Sequence, residues 1–303
     1  MSAPSFAASA VKLIRPKQWI KNLFVFAPLI FAKELFLAGP FVVTLRAFAA
    51  FCMTASAVYI INDLFDADAD RAHPEKRHRP LAAGNITTAQ ALLLLGVLAA
   101  TDTLLLWGMS KGFITIIITY FVMNLAYTLK LKEVFLLDVF IIAAGFMLRV
   151  LGGAYAIEVF VSSWIVLCSL FISLFLGFAK RRGELVSVQN AGGVSERKVL
   201  QHYRVELIDQ ILTITAAGTV ISYAMYTVAS RTIEVFGTDK LIYTTVFVIY
   251  GVFRYLYLIH TESVENPTST VSSDLPIIAN AALWITACVV LIYFRGQIPW
   301  FGR

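Results

Sequence analysis

Charge is what this sequence has least of. Only 15% of its 303 residues are Asp, Glu, Lys or Arg, against about 25% in ordinary soluble domains. A water-soluble fold of this length needs a far more charged surface, so a soluble globular protein is excluded. Long polar tracts are missing too, and 23 Phe and 12 Tyr exclude a disordered chain. Cysteine is scarce. Cys52, Cys168 and Cys288 lie in apolar segments at spacings that make neither a metal site nor a disulfide framework, and they read as small buried hydrophobes. No cleavable signal is expected, because Lys12, Arg15, Lys17 and Lys21 interrupt the start before any apolar core. What is present is apolar: 59% of the residues are hydrophobic. That combination defines a polytopic membrane protein.

A helix needs about 20 mostly apolar residues to cross a bilayer. Nine stretches qualify, near 19–36, 41–61, 88–108, 112–129, 135–156, 161–179, 210–230, 241–259 and 276–295. The expected fold is an all-α polytopic membrane protein, a single integral membrane domain over 1–303 with nine transmembrane helices. Most of the 25 lysines and arginines fall in the N-terminal tail and in the 62–87, 130–134 and 180–209 loops. The positive-inside rule makes that side cytoplasmic and puts the N-terminus inside.

Two of these loops are longer than a helix connection requires, and long loops in a compact bundle tend to carry function. The first begins Asn62-Asp63-Leu64-Phe65-Asp66-Ala67-Asp68-Ala69-Asp70. If the second span continues as helix, Asp63, Asp66 and Asp70 stand at i, i+3 and i+7 on one face, while Asp68 points elsewhere. Three carboxylates on one face repel unless a cation neutralises them. Mg²⁺ takes oxygen ligands and binds one or two carboxylates together with substrate phosphates. A calcium loop is excluded, since the glycine and distal Glu it needs are absent. A solvated acidic helix end is the plainer alternative, but acidic groups are unfavourable at a helix C-terminus.

Downstream runs His73-Pro74-Glu75-Lys76-Arg77-His78-Arg79-Pro80-Leu81-Ala82-Ala83-Gly84, a structured turn. Arg77 and Arg79 can fork phosphate oxygens. Lys17 and Lys21 lie one turn apart beside Asn22, and Trp19 fits an interfacial anchor. Tyr127 and Thr128 precede Lys130 and Lys132 at the end of the fourth span. Lys180-Arg181-Arg182-Gly183-Glu184 ends the sixth and is the densest cationic cluster. Each could serve topology alone; together with an acidic metal face they point to a phosphate-rich anionic ligand.

Residues 195–208 read as an amphipathic helix, with Val199, Leu200, Tyr203 and Leu207 at helical spacing, either a flap or a membrane-surface helix. In the fifth span Asp138, Gly145 and Arg149 share a face. An intramembrane ionisable group is a functional hypothesis by default. Here a buried structural pair is as good a reading as substrate contact.

Asn62-Asp63-x-x-Asp66-x-x-x-Asp70 closing a second span, followed by Arg79-Pro80-Leu81, resembles the UbiA-type intramembrane prenyltransferase superfamily. The resemblance covers essentially the whole chain, including Tyr127 and Lys130. Members that join prenyl diphosphates to aromatic rings carry a second acidic motif after the sixth span. This sequence departs from them, having Phe178-Ala179-Lys180-Arg181-Arg182-Gly183-Glu184 there. That departure resembles one branch, the decaprenyl-phosphate phosphoribosyltransferases.

The resemblance implies a UbiA-like bundle with a cytoplasm-facing site in the inner (cytoplasmic) membrane. It implies Mg²⁺ on Asp63, Asp66 and Asp70, which are also the catalytic residues. Substrate binding falls to Lys21, Asn22, Asn62, Arg77, Arg79, Tyr127, Lys130, Lys132, Lys180, Arg181, Arg182 and Glu184. The implied reaction moves 5-phosphoribosyl from phosphoribosyl diphosphate to a polyprenyl phosphate, within a lipid bilayer. No nucleic acid partner is expected, and a homo-oligomer is left open. Prenyl transfer from a prenyl diphosphate is the alternative. A transporter fits poorly, because the acidic motif sits at a loop rather than near the midplane.

Overall fold

The computed structural model describes residues 5–73, 76–190, 198–261 and 273–294, and no strand occurs among them. In chain order the helices are α1 (Phe6–Ile14), α2 (Ala27–Phe31), α3 (Ala38–Phe65), α4 (Ala67–Ala72), α5 (Thr88–Leu106), α6 (Lys111–Leu129) and α7 (Leu137–Ala156). Then come α8 (Ser163–Asn190), α9 (Val205–Val228), α10 (Ser230–Phe236), α11 (Thr245–Thr261) and α12 (Leu275–Tyr293). Eight helices among the described residues are long and apolar enough to span a membrane: α3, α5 to α9, the stretch Lys240–Thr261 and α12.

That is one fewer than the nine expected, and the difference lies at 19–36. Pro16–Phe26 forms a 3-10 helix, with the short α2 after it. Pro16 and Pro28 each start a new helical piece, as proline does at a first turn. Asn22 is fully buried: its Nδ2 donates to Cys52 Sγ at 3.2 Å and its Oδ1 accepts from Arg149 Nε at 2.7 Å. A polar side chain spent on protein partners anchors the stretch against α3 and α7. Gly153 permits the approach, since a Cβ there would lie 2.0 Å from the Val25 carbonyl oxygen.

Helix starts follow the local sequence. Thr87 and Gln90 form a reciprocal capping box on α5, Ser110 accepts from Phe113 N at α6, and Asp274 accepts from Ile277 N at α12, where a proline follows. Gly237, in the left-handed region, ends α10.

The chain forms two compact units, Met1–Leu131 with Leu148–Phe160, and Lys132–Met147 with Val161–Arg303. The first has two cores: Phe51, Phe113, Ile117 and Tyr120 between α3 and α6, and Leu13, Ile60, Leu81, Ile86 and Leu98 around α1, α3 and α5. In the second, α8 packs on α9, and Phe175, Phe178, Ile208, Leu212 and Tyr255 form the core.

Val199, Leu200 and Tyr203 belong to that second core, which corrects the reading of 195–208 as a surface helix. Lys198–His202 is a short 3-10 turn and α9 begins at Val205; residues 195–197 lie outside the described ones. Tyr203 packs on Phe135 and Phe178, and its hydroxyl donates to Asp138, so Val199, Leu200 and Tyr203 face inward while Leu207 stays exposed.

Candidate active site

The acidic end of α3 is built nearly as the spacing predicts. α3 stops at Phe65, and Asp66 (φ −90°, ψ 2°) separates it from α4. The i to i−4 ladder continues across the break: Asp66 N donates to the Asn62 carbonyl at 2.9 Å and Asp70 N to the Asp66 carbonyl at 2.8 Å. The side chains therefore keep helical phase. Asp63 and Asp70 are buried, Asp66 is half-buried, and Asp68 points outward to pair with Arg71 at 2.6 Å.

Arg79 joins the two buried carboxylates. Its Nη1 lies 3.2 Å from Asp63 Oδ1 and 2.7 Å from Asp70 Oδ2. Arg15 Nη2 donates to Asp63 Oδ1 at 2.5 Å, and its guanidinium sits 4.9 Å from the Tyr59 ring centre. Arg15 takes φ +56° at the junction of α1 and the 3-10 segment, an uncommon conformation for a side-chain-bearing residue. Two guanidinium groups thus balance two carboxylates in a site mostly shielded from water, where charges interact more strongly than at a surface.

Asp63 Oδ2 is buried and makes no hydrogen bond. No three His, Cys, Asp or Glu side chains among the described residues already stand close enough to hold a metal ion. The donor chemistry fits Mg²⁺ all the same. Every donor is a hard carboxylate oxygen, one is buried without a partner, and Mg²⁺ completes its shell with water and substrate phosphate rather than an all-protein cage.

The turn that delivers Arg79 is well tied. Lys76–His78 is a 3-10 turn, the Pro80 carbonyl accepts from Asn85 N and Ile86 N, and Gly84 has φ +73°. Arg77 is exposed beside His78. Pro74 and Glu75 lie outside the described residues. In the same unit Lys21, Asn62 and Tyr127 are half-buried and Lys130 is exposed. Asn22 faces Arg149, whose Nη2 donates to Tyr120 OH at 2.7 Å.

The second unit holds the other cationic candidates. Lys132 is half-buried, as is Arg182. Arg181 is buried, with Nε 2.6 Å from Asp138 Oδ2 and Nη1 2.7 Å from Glu184 Oε2. Lys180 Nζ lies 3.9 Å from Glu184 Oε1. Arg182 donates from Nε to Asp209 Oδ1 and from Nη1 to the Ile259 carbonyl, both at 2.6 Å. Burial, and then the adjacent Asp138 carboxylate, push the Tyr203 phenol well above its ordinary value, so it remains a donor.

The geometry unites Asp63, Asp70 and Arg79 in one cluster, and Lys180, Arg181 and Glu184 in another. It separates Asp138 from Arg149: each is buried with partners of its own, so the shared helix face does not make them a pair. Sequence reasoning did not single out Arg15 as a site residue, although its place beside Pro16 in a basic stretch was a usable signal. Tyr203 stood out only as part of an apolar stripe, with nothing to mark its bond to Asp138, and Tyr120 carried no signal.

Buried carboxylates and guanidinium groups thus cluster at one helix end of a helical protein whose spans are long and apolar enough to cross a membrane. Residues 24–273 match the UbiA prenyltransferase family, and the chain belongs to that family. It is 34% identical over 226 residues to decaprenyl-phosphate phosphoribosyltransferase of Mycolicibacterium smegmatis, covering 73% of this chain and 71% of that one. Over 295 residues it is 31% identical to the enzyme of the same name from Corynebacterium glutamicum, covering 95% and 88%. Its fold is similar to that of a UbiA homolog from Archaeoglobus fulgidus bound to DMAPP and Mg²⁺, with TM-score 0.70, 19% identity, and 94% and 99% of the two chains covered. The protein is an integral-membrane transferase.

Proposed function

We propose that this enzyme transfers the 5-phosphoribosyl group from 5-phosphoribosyl 1-diphosphate to a polyprenyl (decaprenyl) phosphate and releases diphosphate. The likeness to named phosphoribosyltransferases over 95% of the chain carries the reading. The sequence after the sixth expected span supports it, with three cations and one carboxylate in place of a second acidic motif. The donor bears an extra phosphate and the acceptor is itself a phosphate, so added positive charge suits both substrates.

In the proposed reaction the anomeric C–O bond to diphosphate breaks, and a new bond forms from that carbon to an oxygen of the lipid phosphate. The lipid phosphate is already anionic, so no strong general base is needed. Asp63, Asp66 and Asp70 would hold Mg²⁺, which when bound supplies charge neutralisation to the departing diphosphate. Arg77 and Arg79 present forked donors to phosphate oxygens. Asn62 holds the α3–α4 junction through its carbonyl. Lys21, Tyr127, Lys130 and Lys132 are proposed substrate contacts, with Lys180 and Arg182 serving the anionic groups, while the buried Asn22 and Arg181, and Glu184 beside Arg181, would act by holding their neighbours in place. Preorganised charge of this kind stabilises the leaving group without reorganisation at the moment of reaction. We place the enzyme in the cytoplasmic membrane with its N-terminus and site on the cytoplasmic side, following the loop charge.

The test supplies purified protein in nanodiscs with labelled phosphoribosyl diphosphate, decaprenyl phosphate and Mg²⁺. Lipid-linked phosphoribose is expected, and EDTA should abolish it. Its absence, with turnover of a prenyl diphosphate and an aromatic acceptor instead, would overturn the proposal.

A further inference from the structure

Within the second unit, four charged side chains alternate in sign along a single line. Asp138 pairs with Arg181, Arg181 with Glu184, and Glu184 with Lys180. Their side-chain exposures climb in that order, from 0% and 2% to 21% and 44%. Tyr203 closes the inner end. Its hydroxyl donates to Asp138 Oδ1 at 2.7 Å and accepts from Leu136 N at 3.1 Å. Leu136 stands at φ +66°, a region that a bulky residue holds only when its surroundings enforce it. Leu136 in turn lies four positions beyond Lys132.

We propose that Asp138 and Tyr203 are positioning residues for the transfer reaction. They fix Arg181 and Glu184 so that Lys180 meets the phosphate of the donor in one place, and they set the backbone that follows Lys132. This rests on the phosphoribosyl transfer proposed above. Fold stability is a poor reason for such an arrangement, because apolar residues of similar volume hold helices together as well as a buried ion pair does, or better. The Tyr203 ring packs on Phe135 and Phe178, while its hydroxyl reaches the Asp138 carboxylate. Arg181 accordingly acts through Glu184 and Lys180 rather than by touching substrate.

The experiment measures kcat and KM for phosphoribosyl diphosphate in nanodiscs at saturating decaprenyl phosphate and Mg²⁺. The variants are Asp138→Asn, Tyr203→Phe, Lys180→Ala, the double variant Tyr203→Phe/Lys180→Ala, and Leu212→Ala. Leu212 lies in the same core but outside the charged line. Tyr203→Phe should raise KM about tenfold, the loss of one hydrogen bond to a charged group, and Asp138→Asn, which removes the charge facing Arg181, should raise it at least as much, with kcat little changed in both. The double variant should be no worse than Lys180→Ala alone, while Leu212→Ala lowers Tm and leaves KM unchanged. Should Asp138→Asn fail to fold, Tyr203→Phe, which keeps the ring packing, decides. Unchanged KM with a lowered Tm, or additive effects in the double variant, would overturn the positioning role and leave the reaction intact. A wild-type enzyme that does not use phosphoribosyl diphosphate would instead overturn both.

Discussion

Arg79→Ala tests whether Asp63 and Asp70 form a cation site. Arg79 Nη1 bridges the two carboxylates, whose side chains are 2% and 5% exposed. Removing one partner of a buried ion pair costs about 3–5 kcal/mol. Arg79 is itself 27% exposed and Arg15 still faces Asp63, so the expected loss is smaller, about 2 kcal/mol. For a chain of this size that lowers Tm by about 4 °C. The variant then holds two buried carboxylates and one guanidinium, Arg15, which pairs with Asp63. Mg²⁺ should bind it better than wild type, where Arg79 competes for the same oxygens. At ten times its Kd, a ligand of the folded state adds about 1.4 kcal/mol, or about 3 °C.

The assay is thermal unfolding in detergent, with and without Mg²⁺, at ionic strength matched by NaCl to remove general screening. Mg²⁺ should restore most of the Tm lost in Arg79→Ala and raise wild type by less. Adding Asp70→Asn should recover stability without Mg²⁺ and remove the Mg²⁺ response. Equal Mg²⁺ shifts in wild type and Arg79→Ala would refute competition for one site. No loss of Tm in Arg79→Ala would refute the claim that these ion pairs hold the α3 end in place.

Asp66→Ala should lower Mg²⁺-dependent turnover about a hundredfold or more while the protein still folds, checked by kinetics beside a Tm. Gly153→Ala should cost about 3 kcal/mol in detergent unfolding, because the new Cβ meets the backbone oxygen of Val25. Gly96→Ala, with nothing within 4 Å, should be neutral or stabilising. Asp274 caps α12 and bonds Arg254, which holds its carboxyl below the ordinary value. Its stabilisation is present above the unfolded carboxylate range and lost as pH falls through the lowered value. Asp274→Asn should therefore lower Tm at neutral pH, and the difference from wild type should close on acidification.

The long spans were legible because an apolar run of sufficient length has few other fates. The acidic end of α3 was legible because residues at i, i+3 and i+7 share a face whether or not a single residue interrupts the helix. The stretch 19–36 was not legible. Its form turns on Asn22, whose partners Cys52 and Arg149 lie 30 and 127 positions away. Hydropathy sees a nearly long enough run; it does not see that one amide in it is claimed by two distant side chains. For Arg15 the basic stretch beside Pro16 was a signal, but its carboxylate partner, 48 positions off, was hidden in the same way.

The cationic cluster at the end of α8 shows where the sequence held more than was taken from it. Lys180, Arg181 and Arg182 are consecutive on a helix, so they point about 100° apart and cannot share a face. On a helix with one side against the protein, at least one of three such residues must turn inward. A guanidinium driven inward needs a carboxylate. Among the apolar spans, Asp138 was already visible as an intramembrane acid, but it was read against Arg149 on its own helix face. Arg181 takes that place, at 2.6 Å. The pairing followed from helix geometry and the cost of burying charge, whereas the third member, Tyr203, depended on a fold-level approach that no local pattern encodes.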